Sequence, residues 1–400
     1  MKWLFIKSLD TFFFRDGKPF WRGDETISDS IFPPSPRTFY GSLRSYIILN
    51  NSNLIDYRSD VKLKSIVGDE NSFGDLEIYG PFIYDYYFNN IYFKSPRDIF
   101  VEKNLWMENR NCFILKPKDL KNVNYNLDYK LDLVLPEDII EIEEYDDFLK
   151  DDFLIYYINN DTDNLRNGLN SKNLYEFEYK VGISIDKTTG TVEESKIYTT
   201  KHLRFKENFG FLIGVNNEEN YFNTKENIFR LGGETRIVYF EVVTEKINQI
   251  IENIKNISFN SLNNNKFKII LLTPALFKNG WYPDFLKNES NELIGDFSSF
   301  KIELKSYKIK LKGCILGKPK SIGGFDLYKK SPKSISKYVP EGSVYYFEII
   351  NADNNNNWKE ILKNLNFKTI YEFYNKNNED YIFLENLKKE GFGQILIGGW

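Results

Sequence analysis

Between Phe12 and Ser45 the chain reads FFFRDGKPFWRGDETISDSIFPPSPRTFYGSLRS, which sets Arg15, Lys18, Arg22, Arg37 and Arg44 among aromatics, prolines and small hydroxyl residues. A guanidinium presents a planar fork that grips phosphate or carboxylate through paired hydrogen bonds, which lysine cannot do. Only eleven of the fifty-three basic residues are arginine; four lie in the first 44 positions, three between Arg204 and Arg236, and none follows. That clustering points to phosphate or carboxylate recognition, although a surface ion pair accounts equally well for any single one. A second set, Lys196, Tyr198, Lys201, His202 and Arg204, lies on one extended run. A third stretch, Lys301 to Lys337, carries eleven lysines against Glu303 and Asp326. The net charge of −4 hides this segregation, because Glu137 to Asp152 carries nine acids and one lysine. Basic stripes attract nucleic-acid backbones whatever the total charge. The acidic block reads as a solvated face or insertion, or as a surface that repels RNA or docks a basic partner.

Other chemistry is sparse. His202 is the only histidine, which removes most zinc sites, most catalytic triads and any two-histidine nuclease. His202 with Lys201, Arg204 and Tyr198 could make a metal-free acid–base set for RNA cleavage, but a lone histidine on a polar strand is more often a contact. Asp10, Asp16, Asp24 and Glu25 match no magnesium cage, and no metal or cofactor is expected. Cys112 and Cys314 are too far apart in sequence for a disulfide framework, which fits a reducing cytoplasm. No run approaches the roughly 20 apolar residues of a membrane helix. Glycines recur before or within strands, at Gly232-Gly233, Gly323-Gly324, Gly398-Gly399 and in the Gly391-Phe-Gly393 turn. They could bring backbone N–H groups close to an anion or simply make tight turns. None forms a Walker loop or a dinucleotide fingerprint. The aromatic content of 17% accompanies a Lys-, Asn- and Ile-rich composition and is not by itself evidence of base stacking.

The elements that must position these residues follow from periodicity and turn chemistry. Residues 2–8 read as a strand, 15–30 as a loop, and PPSPRTFYGSLRSYIIL as a helix with Ser35 at the N-cap and Pro36 in the first turn. Phe39, Leu43, Tyr46 and Ile47 share its apolar face; Arg37 and Arg44, seven apart, share another. Gly41 suggests close packing. Residues 46–180 read as a long insertion and 181–205 as a β-hairpin with a polar tip. A helix over 246–257, a linker at 260–267, a buried strand, the Gly323-Gly324 bend with its basic loop, a short helix and a last strand complete the chain. Its 400 residues suggest two domains. The expected organisation is α+β, with two ferredoxin-like (RRM-like) β-α-β-β-α-β domains. The first spans 1–259 with the insertion and hairpin, and the second 266–400.

Taken together and in order, LDTFFFRDGKPF, FPPSPRTFYGSLR, TGTVEESKIYTTKHLRF, LGGETR, LLTPALF, GGFDLYKKSPK, VPEGSVYYFEI and GFGQILIGGW resemble the third-subunit family of Cmr complexes. These are RAMP-superfamily subunits of type III-B CRISPR effectors. The resemblance runs from residue 9 to 400, and only 46–180 is largely unmatched. It implies a cytoplasmic subunit without nuclease activity that caps the foot of the complex. Such a subunit grips the single-stranded 5′ repeat-derived tag of the crRNA, pairs with the large polymerase/cyclase-like subunit and touches the first backbone subunit. Target RNA is met only indirectly, since the guide reads it by base pairing. On this reading the helix start at Ser35 faces phosphate. Arg15, Lys18, Arg37, Thr38 and Arg44 hydrogen-bond it, and Phe14, Phe20 or Trp21 stack on bases. The 181–205 hairpin is a thumb that uses Lys196, Tyr198, Lys201, His202 and Arg204. Gly232, Gly233, Arg236, Gly323, Gly324, Lys329, Lys330, Lys333, Gly391 and Gly393 complete the RNA-contacting set. A metal-independent processing endoribonuclease using Tyr198 and Lys201, and a scaffold contacting only proteins, are the alternatives.

Overall fold

The computed structural model describes residues 1–15, 27–28, 30–52, 56–70, 72–103, 111–119, 128–136, 141–169, 174–185, 189, 191–216, 221–222, 227–297, 307–326, 330–352, 357–374 and 381–400. Lys18, Phe20, Trp21 and Lys329 lie outside them, as does the side chain of Lys196. The chain forms two compact units, each assembled from separated segments. One comprises 1–89, 172–244 and 321–336, the other 90–171, 245–320 and 337–400.

In the first unit the elements are β1 (Lys2–Ser8), α1 (Pro36–Asn51), β2 (Ile78–Asp85), β3 (Tyr175–Ile185), β4 (Val192–Phe205), β5 (Phe209–Val215), β6 (Ile228–Arg230), β7 (Ile237–Val242), β8 (Lys320–Asp326) and β9 (Ser331–Tyr338). Five of them form an antiparallel sheet in the order β2-β5-β1-β7-β6. The WLFI run of β1 is buried throughout, as a central strand requires. The apolar face of α1, with Phe39, Tyr40, Leu43, Tyr46 and Ile47, packs in one core with Leu4, Ile6, Phe211, Ile213, Val238 and Phe240. Phe211 is met edge-on by Phe12, Phe14, Phe39 and Phe205, at centroid distances of 5.0, 5.6, 5.1 and 4.9 Å, an arrangement the ring quadrupole favours. Phe14 is therefore a core residue, 4% exposed, and is not available to stack on a base.

Strands β3 and β4 form the expected hairpin, longer than the sequence suggested, running from Tyr175↔Phe205 to Ile185↔Val192. Its root is tied to the core where Leu203 and Phe12 exchange backbone hydrogen bonds of 2.8 Å. Farther out, Tyr179, Val181 and Ile183 are exposed. A second, two-stranded hairpin is β8-β9.

The second unit has a six-stranded sheet in the order Leu286–Glu289, Glu292–Phe297, Tyr307–Ile315, Val344–Ile349, Lys266–Leu271, Ile395–Gly398, with antiparallel neighbours. Its last four strands in that order, Tyr307–Ile315 to Ile395–Gly398, repeat the first unit's β2-β5-β1-β7. Counted along the chain within each unit, they lie second, third, first, fourth. Helices Thr244–Ser261, Asn357–Leu365 and Tyr381–Lys389 accompany them. Within this unit Asp98, Tyr157, Lys268 and Tyr346 meet without solvent. Tyr157 and Tyr346 donate to the Asp98 carboxylate at 2.8 and 2.6 Å, and the Lys268 ammonium lies 3.3 Å from it.

Several expectations change. Residues 46–180 are not one insertion: Ile78–Asp85 is a core strand beside β5, and 90–171 belongs to the second unit. Nor is 260–267 a linker. The helix runs to Ser261, and Asn264 and Asn265 take left-handed φ values of 54° and 55° in a tight turn into the next strand. Among the described residues of the acidic block, Glu144 pairs with Arg97, Asp146 with Lys94 and Asp152 with Lys150. Asp151 is buried, and that burial pushes its carboxyl up to about 7. Gly41 is exposed, with nothing within 4 Å of an added Cβ, so close packing does not explain it.

Candidate nucleic-acid interface

Helix α1 begins where Pro36 fixes the first turn, preceded by Ser35 in extended conformation (φ −65°, ψ 135°). The Ser35 carbonyl accepts from Thr38 N–H at 3.1 Å, but its hydroxyl makes no cap and, although buried, has no hydrogen-bond partner. The expected serine cap is thus corrected: the position is right and the bond is missing. One turn in, Arg37 Nη1 donates to the Gly323 carbonyl at 3.0 Å. A Cβ added to Gly324 would stand 3.3 Å from Arg37 Cδ and 3.5 Å from Lys333 Cδ. Glycine at 324 therefore lets the arginine lie across the β8-β9 hairpin. Exposed Phe325 and Ile335 stand on the same hairpin, and exposed Lys330 begins its return, with φ 50°. The helix start, the Gly-Gly strand and two lysines, distant in sequence, form one basic and apolar surface. Arg15 is exposed, in a backbone bridge with Ser30.

Arg44 has a different role from Arg37. Its guanidinium lies 5.8 and 6.0 Å from the Tyr40 and Phe73 ring centroids, Nη2 donates to the Asp69 carbonyl at 3.3 Å, and Nε is buried. It holds the region after α1 against the helix rather than facing a ligand.

A second cluster locks the root of the β3-β4 hairpin. Asp10 receives Lys180 at 2.6 Å, Arg204 Nη2 at 2.9 Å and Arg236 Nη1 at 3.1 Å. Arg204 also pairs through two nitrogens with Glu178, and Arg236 Nη2 donates to Glu234 at 2.7 Å. Three cations thus meet three carboxylates. Hydrogen bonding from Lys180, with Arg204 beside it, holds the Asp10 carboxyl down at about 2. Behind this cluster His202 is fully buried. Its Nδ1 lies 3.2 Å from Thr11 Oγ1 and its Nε2 2.9 Å from Thr200 Oγ1, and its ring stacks on Phe13 at 4.9 Å. Burial lowers its pKa. The acid–base set that the sequence allows is therefore not assembled: His202 is enclosed and Arg204 is engaged with acids. Asp10 is thus the centre of an ion-paired cluster rather than part of a magnesium site. The alternation Glu176-x-Glu178-x-Lys180 opposite Arg204 and Lys206 was the signal of an ion-paired ladder.

With this geometry in place, comparison with known proteins is decisive at the level of family. The family described as CRISPR-associated protein (Cas_Cmr3) matches residues 4–400. The chain belongs to the Cmr3 family. The Saccharolobus solfataricus protein described as CRISPR system CMR subunit Cmr3 is 26% identical over 400 residues, covering 99% of each chain. Among solved structures, a chain of the type III-B Cmr-beta complex bound to cognate target RNA and AMPPnP aligns with TM-score 0.54. It shows 19% identity and covers 99% of this chain and 96% of that one. A second Cmr-beta structure, bound to cognate target RNA, gives TM-score 0.52 at the same identity and coverage. These structures share the fold.

The remaining motif positions of this Cmr3-family chain divide by burial. Gly232 (φ 81°) and Gly233 close against Phe13, whose carbonyl accepts from Gly233 N–H at 2.7 Å and would lie 2.5 Å from a Cβ on Gly232. Their glycine identity answers that contact. Gly391 and Gly393 are buried. The Gly391 carbonyl accepts from Thr273 Oγ1 at 2.8 Å, Gly393 N–H donates to the Pro274 carbonyl at 2.8 Å, and both have left-handed φ, 86° and 69°. They form an interior turn with no surface to offer RNA. Tyr198 lies over its cross-strand partner Gly182, and the Lys201 ammonium stands 4.3 Å from the Phe177 centroid. Among the described residues no helix is long and apolar enough to cross a membrane.

Proposed function

We propose that this chain is the non-catalytic crRNA-binding subunit of a cytoplasmic type III-B Cmr effector. It caps the 5′ repeat-derived tag and docks the large polymerase/cyclase-like subunit and the first backbone subunit. The observation that carries the proposal is the junction of Arg37 with the Gly323 carbonyl. It joins a helix start to a glycine-opened hairpin that bears Lys330, Lys333 and exposed Phe325. Exposed backbone, lysines that neutralise phosphate and a ring for a splayed base are what a single-stranded tag requires. In both units the shared four-strand order and antiparallel pairing suit two ferredoxin-like domains, and the β3-β4 hairpin suits a thumb beside the guide. The buried His202 disfavours its service as a general base, which must reach its proton, and leaves the alternative endonuclease to Tyr198 and Lys201.

The test measures tag-RNA affinity and melting temperature together. Lys330→Ala should leave melting unchanged, because the side chain is exposed, and should weaken tag binding while lowering the salt slope by about 0.7 for a lost single-strand phosphate contact. Arg37→Ala should lose about 0.5–1.5 kcal/mol of stability with the Gly323 bond and more than tenfold in tag affinity. Arg37→Lys should recover only part of the affinity. Unchanged tag affinity in all three variants defeats the proposal, and cleavage of repeat RNA by the metal-free protein supports the endonuclease.

A further inference from the structure

The turn after β2 presents three consecutive aromatic side chains to solvent. Tyr86, Tyr87 and Phe88 are 47%, 70% and 67% exposed. Soluble surfaces tolerate scattered apolar residues, whereas clustered large aromatics mark interaction sites. The turn is also rigidly built. The buried Asp85 carboxylate accepts from the N–H groups of Tyr87 and Phe88 at 3.0 and 3.1 Å. Asn89 takes a left-handed φ of 57°, and its side-chain oxygen accepts from Tyr84 OH at 2.8 Å. Tyr86 N–H donates to the Asn208 carbonyl at 3.0 Å, and its ring stacks on Phe5 at 5.2 Å. Tyr87 and Phe88 pack edge-to-face at 4.9 Å. A preorganised aromatic knob loses little conformational freedom on docking.

We propose that the 86–88 turn is a peg that inserts into an apolar socket, edged by basic residues, on another protein subunit of the assembly. Charge distinguishes protein from RNA as the occupant. The rim of the turn is acidic: Tyr86 OH hydrogen-bonds Glu241, which raises its pKa, and exposed Glu207 adjoins Asn208. The neighbouring lysine, Lys206, is paired with Glu176 at 3.1 Å. A phosphodiester would be repelled here, whereas a basic rim would be attracted. Tyrosine and phenylalanine are favoured interface residues, and buried aromatic anchors carry a disproportionate share of binding energy.

The inference shares with the proposed function only the premise of a multi-subunit assembly, so tag affinity is read separately. The full chain and its Tyr87→Ser/Phe88→Ser and Glu207→Lys variants are titrated against each of the other purified Cmr protein subunits and against tag RNA. Sedimentation reports self-association. The double variant should melt with the wild type and bind one protein subunit at least tenfold more weakly, with tag affinity unchanged. Glu207→Lys should weaken the same pair and reduce its salt dependence. Unaltered binding to every subunit, a loss confined to tag RNA, or self-association abolished by the double variant would each overturn the proposal.

Discussion

Lys268→Met should destabilise the second unit by about 3–5 kcal/mol, the usual cost of leaving one member of a buried ion pair unpartnered. The estimate follows from the site. Both Lys268 and Asp98 are wholly enclosed, the ammonium lies 3.3 Å from the carboxylate, and it sits 3.7 Å from the Tyr157 centroid. Methionine keeps much of the stem volume, so the loss isolates charge rather than packing. Tyr157 and Tyr346 remain as donors, and Tyr346 also lies 2.6 Å from the Leu115 carbonyl, so its single proton is divided between two acceptors. Asp98→Asn tests the pair from the other side. Burial already lowers the Lys268 pKa, while Asp98 opposes that shift; without the carboxylate the depression deepens. The folded variant then binds fewer protons than its unfolded chain, so its stability must rise with pH towards the unfolded lysine value of about 10.4. Urea unfolding at pH 7 and pH 9.5, followed by tryptophan fluorescence, reads both effects, and the double variant should lose less than the sum of the singles. A Lys268→Met variant within about 1 kcal/mol of wild type, far below the buried-pair cost, would refute the reasoning. So would an Asp98→Asn variant whose deficit relative to wild type fails to shrink at pH 9.5.

Other outcomes follow from the first unit. Asp10→Asn should lower stability at pH 7 by about 1 kcal/mol or less, because the carboxylate is half exposed. With Asp10 held near 2, that contribution is complete above its unfolded value and should vanish in melts as pH falls through 2. His202→Phe removes one partner from each of the Thr11 and Thr200 hydroxyls, which keep their contacts with Lys180, and should cost about 0.5–1.5 kcal/mol, with no change in RNA cleavage by the reconstituted assembly; loss of cutting at normal assembly would count against a structural histidine. Gly41→Ala should raise the melting temperature, because Ala is favoured by about 0.5–1 kcal/mol in a helix interior and nothing crowds the site. Gly232→Ala should lower it, since an added Cβ would lie 2.5 Å from the Phe13 carbonyl at φ 81°.

Local signals in the sequence were read well where one principle dominated. The apolar run of β1, Pro36 in the first turn of α1 and the alternation along β3 and β4 each point to one structure. They failed where tertiary partners decide. Ile78–Asp85 contains Gly80 and Pro81 and sits among aromatic, Asn-rich segments, so nothing local separates a core strand from an insertion. Arg37, Arg44, Arg204 and Arg236 look alike in sequence. Only the fold shows that Arg44 lies against Tyr40 and Phe73, that Arg204 and Arg236 answer Asp10, and that Arg37 meets Gly323. The glycine pairs divide the same way, since a turn inside a core and a strand crossed by an arginine use the same residue.

The segmental make-up of the first unit has a consequence for synthesis. Its sheet is complete in sequence by Val242, yet the hairpin that receives Arg37 belongs to 321–336. On the ribosome, Arg37 emerges nearly three hundred residues before Gly323. Nascent domains generally fold as units from the amino end, but here the sheet can form while the surface around Arg37 is still missing its second wall. The surface proposed to face RNA would close only once most of the chain has been translated. Premature termination before Gly323 would leave a folded sheet without that surface, and a fragment cut near residue 260 would separate Arg37 from its partner strand.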